Sequence, residues 1–351
     1  MKIAFTADLH LTASQTYPER YDALENILEQ MVEGGLSTLI IAGDLFDETS
    51  QNYAEFDKLC SKYKDIKVLV IPGNHDSVLN QQEVTAANLE IYSEPKLHAL
   101  AENAPPFLFL PFKKGKTMGE FISGFASDLE ENNWVLVGHG DWAEGYEPNP
   151  FEPGVYMPLT RSDLENFKPA QVFLGHIHKA MDKGKVHYIG SPCGLDIRET
   201  GRRRWLIYDT VTGKINSKTV DSRVIFFNES FVILPVEDES DYIKKEIAER
   251  IKSWELEEEE IPKTQIKVKV YGYSSEKRKL METIREAFRE FTFYKNWGPD
   301  LTEVSVAEDI NRAEISNQVS AWIDKLDWDT INNHPSKELI LMQALKVIYE
   351  D

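Results

Sequence analysis

The chain has 351 residues, with 39 Lys and Arg against 59 Asp and Glu, a net charge of −20, and two cysteines, Cys60 and Cys193. That length supplies more than one domain, two cysteines exclude a disulfide scaffold, and no apolar run reaches the roughly 18 residues a membrane span needs. The acidity argues against gripping nucleic acid by broad phosphate neutralisation, so such a role needs a local basic surface, bound cations or a partner.

In chain order, Lys2 to Ala7 reads as a strand ending in Asp8-Leu9-His10. With Lys2 and acidic Asp8 it is no signal peptide, which points to a cytoplasmic location. Glu19 to Glu33 sets Tyr21, Leu24, Ile27, Leu28, Met31 and Val32 at helical spacing and stops at Gly34-Gly35. Thr38 to Ala42 is a strand that runs into Gly43-Asp44-Leu45-Phe46-Asp47. Tyr53 to Tyr63 repeats the helical pattern, with Cys60 on its apolar face as a small core residue. Val68 to Ile71 ends in Pro72-Gly73-Asn74-His75-Asp76, Trp134 to Val137 in Gly138-His139-Gly140-Asp141, and Val172 to Leu174 in Gly175-His176-Ile177-His178. Alternating strand and helix predicts an α/β fold, and polar clusters at five strand ends imply one shared sheet edge.

Further strands are predicted over Val186 to Ile189, Arg204 to Asp209 and Lys214 to Val220. From about residue 224 the order becomes strand, helix, strand, helix: Val224 to Pro235, Tyr242 to Trp254, Gln265 to Tyr271, Ser275 to Phe291. The domains expected are 1–222, a small α/β domain over 223–303, and a helical segment over 304–351 that ends in Lys337 to Tyr349. His98 and His187 lie outside the motifs and read as packing or surface residues.

The clusters bring forward Asp8, His10, Asp44, Asn74, His75, His139, His176 and His178, five of the chain's eight histidines. Carboxylates, imidazoles and one amide carbonyl, without thiolate, suit a pair of divalent transition-metal ions. In Asp8-x-His10 and His176-x-His178 alternate side chains can reach one cavity. Two ions ~3.5–4 Å apart form a clamp for displacement at phosphorus.

The ordered set D-L-H, G-D-L-F-D, G-N-H-D, G-H and G-H-I-H, over residues 8–178, resembles the calcineurin-like metallophosphoesterase family. Within it the chain is most similar to the SbcD-type nuclease subunit of double-strand-break repair complexes. The resemblance implies a sandwich of two β-sheets flanked by helices, then a small α/β capping domain and C-terminal helices. It implies a dinuclear phosphodiesterase cleaving DNA as exonuclease or endonuclease. Asp8, His10 and His178 would hold one ion, Asn74, His139 and His176 the second, with Asp44 bridging. His75 would face the scissile phosphate and Asp76 would orient its imidazole; Asp47 is a weaker candidate for a similar outer role. Manganese is the ion the nuclease branch implies, with zinc or iron also accepted by the ligands. The resemblance further implies an SMC-like ATPase partner at the C-terminal segment and a homodimer through helices near Glu83 to Leu97.

Arg198, Arg202, Arg203 and Arg204, with Lys179, Lys183 and Lys185, form the basic concentration near the motifs. Arg202 and Arg203 are taken as substrate-binding. The alternatives are a small phosphoester substrate such as a cyclic nucleotide, which the acidity favours, and a non-catalytic DNA-end-binding subunit.

Overall fold

The computed structural model describes residues 1–47, 52–102, 104–143, 155–234, 238–306, 311–326 and 337–349. The chain divides into two compact units, residues 1–195 with 202–223, and residues 196–201 with 224–351. In the first unit the elements are β1 (Lys2–Thr6), α1 (Pro18–Glu33), β2 (Thr38–Ala42), α2 (Tyr53–Lys62), β3 (Lys67–Ile71), β4 (Leu89–Ile91), β5 (Lys96–His98) and β6 (Phe107–Leu110). They continue as α3 (Met118–Gly124), β7 (Val135–His139), α4 (Arg161–Phe167), β8 (Gln171–Gly175), β9 (Met181–Lys183), β10 (Val186–Tyr188), β11 (Arg204–Asp209) and β12 (Ile215–Thr219).

Two six-stranded sheets result, in the orders β12-β11-β1-β2-β3-β4 and β5-β6-β7-β8-β10-β9. Strands β1 to β4 run parallel, as do β6, β7, β8 and β10. Alternation along each strand sorts side chains between two faces. From β1, Ile3 and Phe5 enter the core between the sheets with Phe107, Phe109, Val137 and Phe173, and Phe5 stacks on Phe173 at 4.0 Å. Ala4, Leu39, Ile41 and Val70 face the other way, onto Leu24, Ile27 and Phe56 of α1 and α2. On the outer face of the second sheet Leu108, Leu136 and Leu174 pack with Met118 and Ile122 of α3. The unit is therefore an α/β sandwich of two sheets with helices outside. Strands β1, β2 and β3 run parallel to one another in the first sheet, as β7 and β8 do in the second, and the motif residues lie at their C-terminal ends.

The segment from Glu83 to Leu97 is not helical. It holds Glu83 at the end of a 3₁₀ turn (Gln81–Glu83), then β4 and the start of β5. The helices expected there as a dimer interface are absent, because Leu89 and Ile91 alternate about Glu90 and extend the parallel sheet beside β3.

The second unit contains β13 (Ile225–Ile233), α5 (Glu239–Ser253), β14 (Thr264–Ser274), α6 (Lys277–Ala287), β15 (Thr292–Phe293), β16 (Asp300–Val306), α7 (Asn311–Ile323) and α8 (Lys337–Tyr349). Its four strands are parallel, with β14 paired to β13 on one side and to β15 and β16 on the other. Ile266, Val268 and Val270 bury one face against Ile243, Ile247, Leu280 and Ile284 of α5 and α6. The apolar stripe of α8 docks on its own unit, where Leu341 and Leu345 pack with Val232, Leu234 and Tyr273; Leu339 and Val347 stay exposed. Among the described residues, no helix is long and apolar enough to cross a membrane.

Candidate metal centre

Four of the motif residues leave their strands in the left-handed region: Asp8 at φ 53°, His10 at 46°, Asp44 at 49° and His176 at 91°. A side chain held there costs about 1–3 kcal/mol and persists only where surrounding structure enforces it. Here the backbone enforces it. Asp8 N donates to Gly43 O at 3.1 Å, and His10 N to Asp44 O at 3.0 Å, so the two loops after β1 and β2 zip together. Two glycines let the loops close. A Cβ at Gly43 would lie 2.0 Å from His139 Nδ1, and one at Gly73 would lie 2.1 Å from Asp44 Oδ1.

The side chains then converge. His10 Nε2 stands 3.1 Å from His178 Nε2 and 3.5 Å from Asp44 Oδ2. On the other side of that oxygen, His139 Nε2 lies 3.3 Å away, and Asn74 Oδ1 is 2.9 Å from His139 Nε2 and 3.1 Å from His176 Nδ1. Asp8 Oδ1 accepts from His176 N at 2.8 Å, while its buried Oδ2 has no hydrogen-bond partner among the described residues. Two groups of metal-ligating atoms share Asp44: His10, Asp44 and His75, and Asp8, Asp44 and His139. Donors bound about 2.0–2.2 Å from one ion sit about 3 Å from each other, which is the spacing observed. All seven predicted ligands and His75 are thus in one place, and the orphaned Asp8 Oδ2 fits a cation.

Electrostatics point the same way. Burial pushes His10 well below the usual histidine range, with His178 adding to the effect, so its imidazole is neutral and open to a cation. Burial raises the Asp8 carboxyl to about 6. Burial would raise Asp44 too, yet the His139 charge and hydrogen bond, with His10, hold it far below the ordinary carboxylate range. Burial opposes a charge on His139, but Asp44 and Asp8 outweigh it and raise the imidazole to about 10.

Several residues brace this arrangement. His139 Nδ1 contacts Ala42 O at 2.9 Å, which fixes the ring with Nε2 turned inward. Buried Arg20, on α1, donates to His10 O and lies 3.6 Å from Asp47. Asp141 Oδ1 lies 3.5 Å from His176 Nε2, and its Oδ2 accepts from Tyr156 N at 2.7 Å. Sequence reasoning gave Arg20 and Asp141 no role. Asp141 stood inside a motif and carried the available signal; Arg20, on a helix of ordinary pattern, carried none.

Two expectations are corrected. Asp76 makes no hydrogen bond to the His75 imidazole: its Oδ1 accepts from Gly73 N at 2.7 Å and its Oδ2 from Phe46 N at 3.1 Å. It ties the β3 loop to the β2 loop, and burial, with Asp44 nearby, raises its carboxyl to about 7. Arg203 is buried, and instead of meeting substrate it donates to Ser191 O at 2.9 Å, Ser191 Oγ at 2.6 Å and His178 O, bracing the loop that carries His178. Its neighbours are similarly engaged: Arg204 pairs with Asp182 and Tyr188 O, and Arg198 with Asp196. Arg202 is exposed.

The calcineurin-like phosphoesterase family model matches residues 1–180. The chain belongs to this family. Members use a dinuclear divalent metal centre, and the clustered donors described above are candidates for it. YhaO of Bacillus subtilis (strain 168), an uncharacterized metallophosphoesterase, is 26% identical over 226 residues, 56% of this chain and 51% of that protein. The chain thus spans about half the length of that relative. The DNA double-strand break repair protein Mre11 of Nanoarchaeum equitans is 23% identical over 288 residues, 70% of this chain and 71% of its own. A probable cyclic nucleotide phosphodiesterase of Coxiella burnetii is 36% identical over 83 residues, 22% of this chain and 33% of its own.

Proposed function

We propose that this phosphoesterase is a divalent-metal phosphodiesterase that cleaves DNA, as the SbcD-type nuclease subunits do at double-strand breaks. The observation that carries the chemistry is Asp44 Oδ2 between two donor sets, 3.5 Å from His10 Nε2 and 3.3 Å from His139 Nε2. Support for the substrate class comes from the Mre11 likeness, which extends over 288 residues where the family model covers 180.

Asp8, His10 and His178 would hold one cation, Asn74, His139 and His176 a second, and Asp44 both, with manganese the proposed ion. When bound, such a pair lowers the pKa of water and neutralises phosphate oxygens. His75 lies beside His10, ring centroids 4.6 Å apart, and its backbone N donates to Asp44 Oδ1 at 3.0 Å. From there the imidazole N–H would donate to the oxygens on phosphorus as charge builds and pass its proton to the leaving oxygen, to be replaced from solvent. Arg20 and Arg203 hold the His10 and His178 carbonyls, and Arg202 keeps a proposed contact with the strand's phosphates.

His75→Ala should retain metal while turnover on linear DNA with manganese falls about a hundredfold or more, the scale of a contact made only in the transition state. Undiminished manganese-dependent cleavage by that variant would reject the role.

A second reading keeps the centre and changes the substrate to a cyclic nucleotide; the Coxiella likeness and the net charge of −20 favour it. Brisk hydrolysis of cyclic nucleotides or bis-p-nitrophenyl phosphate, with no DNA form cleaved, would put it first. An SMC-like ATPase partner at the C-terminal segment and self-association belong to the main proposal. Co-purification and sedimentation test them.

A further inference from the structure

With Arg203 and Arg204 engaged by the chain itself, an acidic nucleic-acid enzyme needs more basic surface than Arg202 adds. Residues 263–299 carry nine Lys and Arg against four Glu, a local net of +5 in a chain of net −20. This stretch supplies nine of the twelve residues that line a cleft of about 640 Å³ within the second unit, two of them lysines. Its apolar wall is Ile266, Met281 and Leu301, and Tyr294 and Trp297 form its rim. Trp297 is 66% exposed, a large apolar ring left to solvent. Lys267 and Lys277 line the cleft, the Lys277 ammonium donating to Val304 O at 3.1 Å, and Lys295 Nζ sits 5.2 Å from both the Tyr294 and the Trp297 ring centroids. The one acid in the wall, Asp300, has its Oδ1 engaged by Thr302 N and Oγ1.

The backbone is arranged to keep the cleft open. Strand β14 pairs with β15 at Gln265 and Ile266, then with β16 from Lys269 onward, so this side of the ladder is interrupted at Lys267 and Val268. The chain between the two partners turns out and back through three left-handed residues, Lys295 at φ 52°, Asn296 at 58° and Gly298 at 73°. Left-handed non-glycine residues of this kind concentrate where a ligand is gripped. An aromatic face, flanking ammonium groups and an open strand edge together suit a flat base with attached phosphates.

We propose that this cleft binds an unpaired nucleotide of a single-stranded nucleic acid, the base stacked on Trp297 and its phosphates beside Lys267 and Lys295. The choice of a strand over a free nucleotide rests on the DNA-cleaving reading above. The test is anisotropy of fluorescein-labelled oligo-dT with the full chain in EDTA, where nothing is cleaved. Trp297→Ala should weaken binding about tenfold or more, and Trp297→Phe should restore most of it. Lys267→Gln and Lys295→Gln should each flatten the salt dependence by roughly one counterion. Free thymidine monophosphate should compete only at far higher concentration. Manganese-dependent hydrolysis of bis-p-nitrophenyl phosphate should be unchanged in all four variants, which reports an intact fold and centre. Wild-type affinity in Trp297→Ala, or equal competition by the mononucleotide, would overturn the inference. So would a wild-type chain that ignores oligo-dT, while its duplex cleavage would still decide the proposed function separately.

Discussion

Two kinds of buried acid in this chain are neutralised in opposite ways. Glu229, on β13 of the second unit, accepts from Trp254 Nε1 at 3.0 Å through one oxygen and from Arg250 through the other, on a regular strand. Asp8 and Asp44, in the first unit, are more deeply buried, yet among the described residues neither meets a lysine or arginine, and both stand in left-handed backbone. Their neighbours are imidazoles. Burying a carboxylate without a permanent positive partner is costly. The second unit supplies that charge from its own helix, whereas the first is built to take it from cations.

The largest expected effect therefore falls on Asp44. Asp44→Asn should remove the manganese-induced rise in Tm and cut phosphodiester turnover by more than about a hundredfold, since losing a ligand exceeds the 10–100-fold cost of losing an outer partner. Metal content by mass spectrometry and turnover check it. A variant that still binds two equivalents of manganese would erase the contrast. Asp141→Asn tests the next layer, because it keeps the shape beside His176 Nε2 and removes the charge 3.5 Å away. Manganese affinity by calorimetry should drop about tenfold with the fold intact, and Asp141→Glu should recover part of it.

The Glu229 side of the comparison is smaller. Glu229→Ala leaves a half-buried Arg250 without that partner. The full cost of breaking a buried pair, about 3–5 kcal/mol, is reduced by the solvent Arg250 still reaches, to about 1–3 kcal/mol. Tm should fall by the same amount with and without manganese, and a manganese-dependent difference would contradict the separation.

How much of this was visible beforehand follows from local signals. Lys2–Thr6, Thr38–Ala42 and the helix ending at Gly34-Gly35 were legible because β-branched runs and glycine stops are local features. The ligands were legible because each ends a strand or follows one within four residues. Strands β4, β5, β6, β9, β15 and β16 were missed: all but β16 have four residues or fewer, and β16, largely polar, is made by pairing with β14 about thirty residues away. Asp76 and Arg203 were misjudged for the same reason. A charged side chain beside a motif looks alike whether its partner is substrate or a backbone amide thirty residues away. The interruption of β14 opposite Trp297 could not be read from the strand itself, since it depends on where β15 ends and β16 begins.

The smallest expected effect concerns pH, and its sign separates the two kinds of buried acid. In EDTA, His139, raised to about 10, contributes stability that is complete below the ordinary histidine value of about 6.5 and is lost as pH climbs toward 10. Asp8 and Asp76, raised to about 6 and about 7, act in the same direction at lower pH, each favouring the folded chain most below the ordinary carboxylate value. Asp44 acts oppositely, its contribution present above that value and lost only in strong acid. The metal-free protein should accordingly lose Tm steadily between about pH 6.5 and 9. Saturating manganese should abolish or reverse the decline, because the donors must shed protons to bind and metal affinity rises with pH. A metal-free Tm that rises with pH would mean that the Asp44–His139 pair does not hold its proton as the geometry requires.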